Sequence, residues 1–255
     1  MKIQIESSTS CNARCTFCPR YDMTRPRGEM SDELFHKITK ESRTMSKPFF
    51  VPFLHGEPFV FPRIWEWLDY LKNDKVHLYT NAEFIDVDRI VKYKNIRLIC
   101  CSLNATTKET YDKIMRGPDF NKVVSNIKDL IAKAPFKIFV SMVITSDNQH
   151  EAKEFKRMWG KNHIFGEFKN WGGARHDTIE KTGKRIPCYA ALNTINILWD
   201  GRVCACCLDY DGKLILGDAN KESIVQIWHN AKWFRDKHRN LDFNIIPCKN
   251  CNQNI

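Results

Sequence analysis

The chain alternates between two hydrophobic periodicities. Short apolar or every-second-residue runs, such as KIQIES and VHLYTN, predict β-strands, and segments with apolar residues three and four positions apart predict amphipathic helices. The predicted strands are 2–7, 48–55, 76–81, 96–105, 136–145 and 163–169. The predicted helices are 32–44, with Ser31 as N-cap, 64–73, 87–94, 108–115, 121–133 and 150–159.

This alternation predicts an α/β fold in which parallel strands are joined by right-handed helical crossovers. Six strand–helix units make a partial (β/α)6 barrel of the TIM type. In such sheets the chemistry gathers at the carboxyl ends of the strands. The motifs that fall at predicted strand ends are Cys11–Cys18, Gly56-Glu57-Pro58, Thr80-Asn81 and Ser102-Leu103-Asn104.

The pattern changes after about Asn170, where a polar, turn-rich stretch begins. A hairpin is predicted over 195–207, followed by an apolar LILGD segment and helical residues 223–240. The sequence therefore predicts two domains, a barrel over 1–175 and a small C-terminal domain over 176–255.

Composition indicates the kind of cellular compartment in which the protein is expected. The first ten residues lack the apolar core of a secretory signal, and no run approaches 18 apolar residues, so we expect no membrane span. The chain of 255 residues has 11 cysteines, an odd count at ligand-like spacings, which favours metal-bound thiolates in a reducing cytoplasm over a disulfide framework.

The net charge of +10 raises the question of nucleic-acid binding. The lysines, however, lie at solvent-face spacing along predicted helices, and no compact arginine-rich block with interleaved aromatics occurs. The charge therefore does not favour a nucleic-acid partner, whereas an anionic small-molecule substrate remains open.

Cys11, Cys15 and Cys18 form a C-x3-C-x2-C array. Structural zinc usually takes four ligands from two Cys-x2-Cys pairs, whereas iron–sulfur clusters are held by closely spaced thiolates. Three cysteines leave one iron without a protein ligand, free to bind a substrate or cofactor. The alternatives are three clustered free thiols or half of a zinc knuckle.

With Phe17 before its last cysteine, this array resembles the signature of the radical S-adenosylmethionine (SAM) enzymes. The resemblance implies that Cys11, Cys15 and Cys18 bind a 4Fe–4S cluster and that Gly56, Glu57 and Pro58 match the motif that recognises the SAM amino group. It further implies that polar groups near SAM come from Thr80, Asn81, Ser102, Asn104, Ser141 and Arg116, the last within TYDKIMRG. For Glu57 the alternative is an exposed turn carboxylate, and for Arg116 it is a helix C-terminal arginine favoured by the helix dipole.

The chain departs from the family pattern at several positions. His55 stands where relatives often have a glycine, Ala82 follows Thr-Asn in place of a glycine, and Asn104-Ala105 replaces a common Asp-Gly. Cys100 and Cys101 lie within an apolar strand and are predicted to be core thiols.

The C-terminal part resembles the auxiliary-cluster extension of the SPASM or twitch type. The resemblance implies a second 4Fe–4S cluster held by Cys188, Cys206, Cys248 and Cys251. Cys204 or Cys207 would replace Cys206 if the hairpin register differs. A structural zinc site built from the same four cysteines is the alternative.

The resemblance implies that SAM is cleaved to methionine and a 5′-deoxyadenosyl radical, which abstracts a substrate hydrogen atom. A fully ligated auxiliary cluster can accept an electron, and the interval of 18 residues from Cys188 to Cys206 is similar to that of a dehydrogenase acting on an aminocyclitol. The first hypothesis is therefore dehydrogenation of a sugar- or cyclitol-like alcohol. Arg175 or Asp209 would bind hydroxyls or take a proton, and the alternative for both is a surface salt bridge. A flavodoxin or ferredoxin would donate electrons.

Two alternatives belong to other classes. One is a peptide- or protein-modifying radical enzyme, although no segment corresponds to an added peptide-binding domain. The other is a non-catalytic zinc or iron–sulfur protein, for which the motifs at successive strand ends would be coincidental.

Overall fold

The structure is a computed structural model, in which residues 1–174 and 183–253 are described. The strands are β1 Lys2–Ile5, β2 Phe49–Val51, β3 Val76–Thr80, β4 Ile96–Ser102, β5 Lys137–Ile144, β6 His163–Glu167, β7 Thr194–Ile197, β8 Arg202–Cys204 and β9 Ile215–Asp218. The α-helices are α1 Asp32–Ser42, α2 Ile64–Tyr70, α3 Val87–Ile90, α4 Lys108–Ile114, α5 Phe120–Lys133, α6 Ala152–Trp159, α7 Tyr189–Asn193, α8 Ile224–Asn230 and α9 Lys232–Arg239. Short 3-10 helices cover Pro19–Tyr21, Pro58–Val60, Gln149–Glu151, Gly160–Asn162, Trp171–Gly173 and Cys248–Asn250. The predicted strand–helix alternation is confirmed.

The chain forms two compact units. The first contains Met1–Thr9, Asp22–Gly56 and Lys169–Ile255, and the second contains Ser10–Tyr21 and Glu57–Phe168. The predicted domain boundary at residue 175 lies outside the described residues.

In the second unit, β3, β4, β5 and β6 pair in parallel in sequence order. Tyr111 of α4 and Phe155 of α6 are fully buried, as expected for helices whose apolar stripe covers a sheet. In β4, Cys100 is 9% exposed and Cys101 is 0% exposed, so the prediction that they are core thiols is confirmed. Asp119 caps α5 by accepting a hydrogen bond from the Lys122 amide.

In the first unit, β1 is the central strand, since it pairs in parallel with both β2 and β7. The alternating KIQIES pattern predicts a strand with one polar face, but both faces of β1 are buried. Gln4 and Glu6 are as inaccessible as Ile3 and Ile5, because strands pair with β1 on both sides and further chain covers its faces.

The predicted hairpin is confirmed as the antiparallel pair β7–β8, and β9 adds antiparallel to β8. The residues predicted to be helical, 223–240, form two helices, α8 and α9, which are separated at Ala231. The strand predicted over 48–55 ends early, at Val51. No helix in the described ranges is long and apolar enough to cross a membrane.

Candidate active site and auxiliary metal centre

The loop that carries the first three cysteines is fastened to the end of α4. The Arg14 amide donates to the carbonyls of Met115 and Arg116, and the Thr16 amide donates to the Ile114 carbonyl. These carbonyls belong to the last turn of the helix and the residues after it, where no intrahelical donors remain. The loop thus supplies hydrogen-bond donors to the free carbonyls at the end of α4, and these hydrogen bonds hold the loop in position.

Gly117 allows this close approach. Its φ is +137°, and a Cβ built there would lie 2.3 Å from the carbonyl oxygen of Asn12. Any side chain at position 117 would push the cysteine loop away from the helix. The TYDKIMRG segment therefore supports the loop through its glycine.

The three thiols of the loop are partly buried and influence one another electrostatically. Burial raises the pKa of Cys11 to about 11, with the carboxylate of Glu57 adding to the effect and the Ala13 amide opposing it. Burial also raises the pKa of Cys15, and the neighbouring Cys18 and Cys11 raise it further. A cationic iron centre would relieve this repulsion, so the donor set fits a cluster that binds thiolates.

Glu57 is buried and its carboxylate is held by three donors. Its Oε1 accepts from the Thr80 hydroxyl at 2.6 Å and the Phe59 amide at 3.2 Å, and its Oε2 accepts from the Asn81 amide at 2.7 Å. Burial nevertheless raises the pKa of Glu57 to about 7. A desolvated carboxylate with so high a pKa would gain from a cationic ligand such as an ammonium group.

Asn81 links this carboxylate to the cysteine loop. While its backbone donates to Glu57, its side-chain amide donates to Asn12 Oδ1 at 2.8 Å. Asn12 in turn donates to Glu83, whose other oxygen accepts from the Asp119 amide. Thr80 and Asn81, predicted as cofactor-binding residues, thus both hold the Glu57 carboxylate, and Asn81 also joins it to the cysteine loop.

Ala82 stands where relatives often have glycine, and its φ is +65°, in the left-handed region. This backbone conformation explains why a glycine is common there, and in this chain the Thr80 hydroxyl supports it by accepting from the Ala82 amide at 2.9 Å.

The remaining predicted cofactor residues occupy different surroundings. Ser102 and Ser141 are direct partners in the β4–β5 register, near the carboxyl end of these strands. Asn104 is 1% exposed, and its side-chain oxygen accepts from the Val143 amide at 2.8 Å. Its amide points to Met115 Sδ, so the Asn104 side chain is used in packing within the second unit.

Phe17 makes an edge contact with Phe168 at a centroid distance of 6.4 Å. Arg116 is exposed, and its Nε donates to the Lys113 carbonyl at 3.1 Å, the helix-terminal arrangement considered as the alternative. Pro58 begins a 3-10 helix that follows Glu57, whereas Gly56 ends the preceding segment of the first unit. The predicted roles of these four residues toward SAM remain predictions.

A second group of cysteines surrounds a cavity of about 270 Å³ in the first unit. The thiols that line it are Cys188, Cys206, Cys207, Cys248 and Cys251. The cavity greatly exceeds the ~10–15 Å³ that one water requires. Lys169 and Arg185 also line it and supply positive charge.

Cys204 lies elsewhere. It is 1% exposed and packs with Leu54 and Leu198, and its Sγ lies 3.5 Å from the carbonyl oxygen of Cys206. Of the three cysteines that the hairpin offers as ligands, Cys206 and Cys207 therefore line the cavity and Cys204 does not.

The lining of the cavity suits a four-iron cluster. In such a cluster each thiolate binds a different iron, so the sulfurs can lie further apart than the ligands of a single ion. The five thiols and the size of the cavity therefore fit an iron–sulfur cluster.

The two predicted substrate residues gain little support. Arg175 lies outside the described residues. Asp209 is 2% exposed, and its two carboxylate oxygens accept from the amides of Lys213 and Leu214. Burial raises its pKa, although these hydrogen bonds oppose the effect. This geometry is that of a turn-stabilising carboxylate, and the role of Asp209 toward substrate hydroxyls remains a prediction.

The sequence did not reveal several of these contacts. Asn12, Met115 and Gly117 support the cysteine loop, and His238 lies beside Cys248. The only available signal was the glycine that ends TYDKIMRG. The others are ordinary residue types, whose role depends on partners far away in the sequence.

Residues 5–158 match the sequence profile of the radical SAM superfamily, and residues 188–252 match that of the SPASM iron-sulfur cluster-binding domain. The chain belongs to the radical SAM superfamily and carries a C-terminal SPASM domain. Membership implies a 4Fe–4S cluster and SAM for the first region and auxiliary iron–sulfur binding for the second.

One relative of known activity is the S-adenosyl-L-methionine-dependent 2-deoxy-scyllo-inosamine dehydrogenase of Niallia circulans. It is 22% identical over 269 residues, which cover 98% of this chain and 92% of the relative. The solved structure of BtrN in complex with AdoMet and 2-DOIA has a TM-score of 0.69 at 18% identity, covering 99% of this chain and 92% of that chain. Streptococcus suis SuiB bound to its precursor peptide SuiA has a TM-score of 0.77 at 14% identity, covering 98% and 69%. At these identities the structural likeness establishes the fold.

Proposed function

We propose that this radical SAM enzyme oxidises a secondary alcohol of a sugar- or cyclitol-like small molecule to a ketone. The observation that carries the proposal is the match to the Niallia circulans dehydrogenase, which extends over 98% of this chain and 92% of that enzyme. The match includes both regions, so it extends to the part of the chain that carries the auxiliary cysteines.

In this proposal Cys11, Cys15 and Cys18 hold the catalytic 4Fe–4S cluster, and Glu57 receives the ammonium group of SAM. The contact network supports these roles, since Asn81 bonds both to the Glu57 carboxylate and to Asn12 of the cysteine loop. A displacement of the cysteine loop would therefore also displace Glu57, and the reverse. When bound, the cluster and SAM supply one-electron transfer and the radical that removes a hydrogen atom.

The auxiliary centre is assigned to Cys188, Cys206, Cys248 and Cys251 as one fully ligated 4Fe–4S cluster. The cavity lined by these four residues supports the assignment. Conversion of a secondary alcohol to a ketone removes two electrons and two protons in total. Only one hydrogen leaves with the adenosyl group, so the second electron needs an acceptor, and a fully ligated cluster is suited to that task.

The test is anaerobic reconstitution followed by an assay with SAM, dithionite and a panel of cyclitols, amino sugars and peptides. We expect about eight irons per chain for two clusters. One alcohol of the panel should stimulate 5′-deoxyadenosine formation and yield a ketone in equal amount, and deuterium at its carbinol carbon should appear in the 5′-deoxyadenosine. A Cys11, Cys15 and Cys18 triple alanine variant should abolish both products.

Other outcomes distinguish the alternatives. Stimulation by a peptide alone, with a modified peptide as product, would replace the dehydrogenase proposal by peptide modification. About four irons with SAM cleavage intact would remove the auxiliary cluster and the acceptor argument. Cleavage without any ketone from the panel would overturn this choice of substrate class.

A further inference from the structure

His238 is a buried histidine directed at the auxiliary cysteines. It lies in the last turn of α9, is 1% exposed and lines the cysteine cavity. Its Nε2 lies 3.4 Å from the Sγ of Cys248, itself a predicted ligand. A histidine so deeply buried has to be held by a specific partner, because an imidazole buried without a hydrogen bond is costly.

Aromatic packing fixes the orientation of this ring. Phe234 and Phe243 meet the imidazole edge to face, at centroid distances of 4.8 Å and 5.3 Å. The ring is thereby held between two hydrophobic side chains, and rotation of Nε2 away from Cys248 would require them to repack.

The hydrogen-bond pattern indicates which ring nitrogen carries the proton. Nδ1 is buried and has no hydrogen-bond partner among the described residues, whereas Nε2 faces the sulfur of Cys248. A thiolate bound to iron has lone pairs but no proton, so it can only accept. The tautomer that forms a hydrogen bond is therefore the one protonated on Nε2.

Positive charge lies near the same cysteine. Arg185 lines the cavity, with its guanidinium over the Phe243 ring at 3.9 Å, and its buried Nε has no hydrogen-bond partner within 1–174 and 183–253. Hydrogen bonds to cluster sulfurs and nearby positive charge both stabilise the more negative, reduced form of an iron–sulfur cluster and so raise its reduction potential.

We propose that His238 donates a hydrogen bond from Nε2 to the Cys248 thiolate and thereby raises the reduction potential of the auxiliary cluster. His238 acts through Cys248 as a positioning residue and does not ligate iron. The inference rests on the auxiliary cluster of the proposed function. It makes that cluster a better electron acceptor, as oxidation of an alcohol requires.

The test uses the full chain, reconstituted, with Cys11, Cys15 and Cys18 changed to alanine so that only the auxiliary cluster is observed. The midpoint potential is measured by redox titration followed by electron paramagnetic resonance. His238→Met, which removes the donor, should shift the potential to a more negative value. His238→Gln, which retains an N–H donor near the Nε2 position, should restore most of the shift, and His229→Met, at an exposed site on α8, should cause none.

A second measurement keeps the proposal falsifiable if His238→Met loses the cluster. In chain labelled with ¹⁵N-histidine, pulsed electron paramagnetic resonance of the reduced cluster should show a weak nitrogen coupling that is absent from His238→Gln. A strong coupling would identify His238 as an iron ligand and overturn the proposal, as would no coupling or an unchanged potential in His238→Met. Absence of iron from the cavity would overturn it as well. All these readouts are independent of alcohol oxidation, so failure of the dehydrogenase proposal would be seen separately.

Discussion

The imidazole Nε2 of His55 lies 3.0 Å from the carbonyl oxygen of Cys207. Its Nδ1 lies 3.1 Å from Glu6 Oε1, which also accepts from Arg25 at 2.5 Å. The Arg25 guanidinium also lies 3.4 Å from Nδ1, so His55, Glu6 and Arg25 form one buried polar cluster. His55, which replaces a common glycine, thus ties the end of β1 to the hairpin that carries the auxiliary cysteines.

His55→Leu should destabilise the protein by about 2–3 kcal/mol, because it removes a buried hydrogen-bond partner from a carboxylate and from a carbonyl. Anaerobic denaturant unfolding measures the change, and His229→Leu at an exposed site is the control. The same contacts affect the pKa of Glu6. Burial alone would raise this pKa, but the hydrogen bonds and charges of His55 and Arg25 keep it below its ordinary value of 4.5. The contribution of Glu6 is therefore present above pH 4.5 and lost as the pH falls below it. Equal stability of the two leucine variants would contradict this account.

Glu57 should make the stability depend on pH in the opposite direction to Glu6. Burial raises its pKa to about 7 from an ordinary value of 4.5, so between these values the folded chain holds a proton that the unfolded chain releases. The free energy of unfolding of the metal-free protein should therefore fall as the pH rises through this range, by about 3 kcal/mol at most. Glu57→Gln should flatten this part of the pH profile, and the exposed Glu66→Gln should leave it unchanged. A wild-type profile that rises from pH 5 to pH 7 would rule out the assignment.

Gly117→Ala should disrupt the cysteine loop, because the new Cβ would lie 2.3 Å from the Asn12 carbonyl oxygen. We expect loss of about four irons per chain and of SAM cleavage, with the auxiliary iron retained. Gly160→Ala is the matched control, since Gly160 also has a positive φ but a Cβ there meets no atom of the described residues within 4 Å. Both variants experience backbone strain, because each position has a φ that residues with a side chain rarely adopt, and only the first has the clash. Full iron content in Gly117→Ala would show that the loop tolerates displacement.

Local pattern was sufficient to predict the strand–helix alternation and the hairpin, because each is encoded within about ten residues. The errors arose where tertiary packing overrides the local pattern. Strand β1 alternates polar and apolar residues, yet Gln4 is 4% exposed, because β1 is the central strand between β2 and β7 and its polar face is covered as well as its apolar one. A single strand cannot reveal what will cover its second face.

The candidate site likewise contains residues that the local sequence predicts and residues that only the fold reveals. Cys11, Cys15 and Cys18 were recognisable because metal ligation imposes a spacing within eight residues. Asn12 and His238 act through partners that only the fold brings near, Asn81 for the former and Cys248 for the latter. Asn12 lies within the recognisable cysteine motif and His238 in an ordinary basic helix, but neither neighbourhood indicates the partner that the residue contacts.

The hairpin cysteines offer a direct test of the auxiliary site. Cys204→Ala should retain about eight irons per chain, because Cys204 packs against Leu54 and Leu198, outside the cavity. Cys206→Ala should lose about four irons while still cleaving SAM, because Cys206 lines the cavity and is the hairpin cysteine assigned to the auxiliary cluster in the proposed function. Cys207→Ala, which removes the fifth thiol of the cavity, should retain the iron and serve as the matched control. If Cys207→Ala lost the iron and Cys206→Ala kept it, the hairpin would present its ligand one residue later, and Cys207 would replace Cys206 in the auxiliary site.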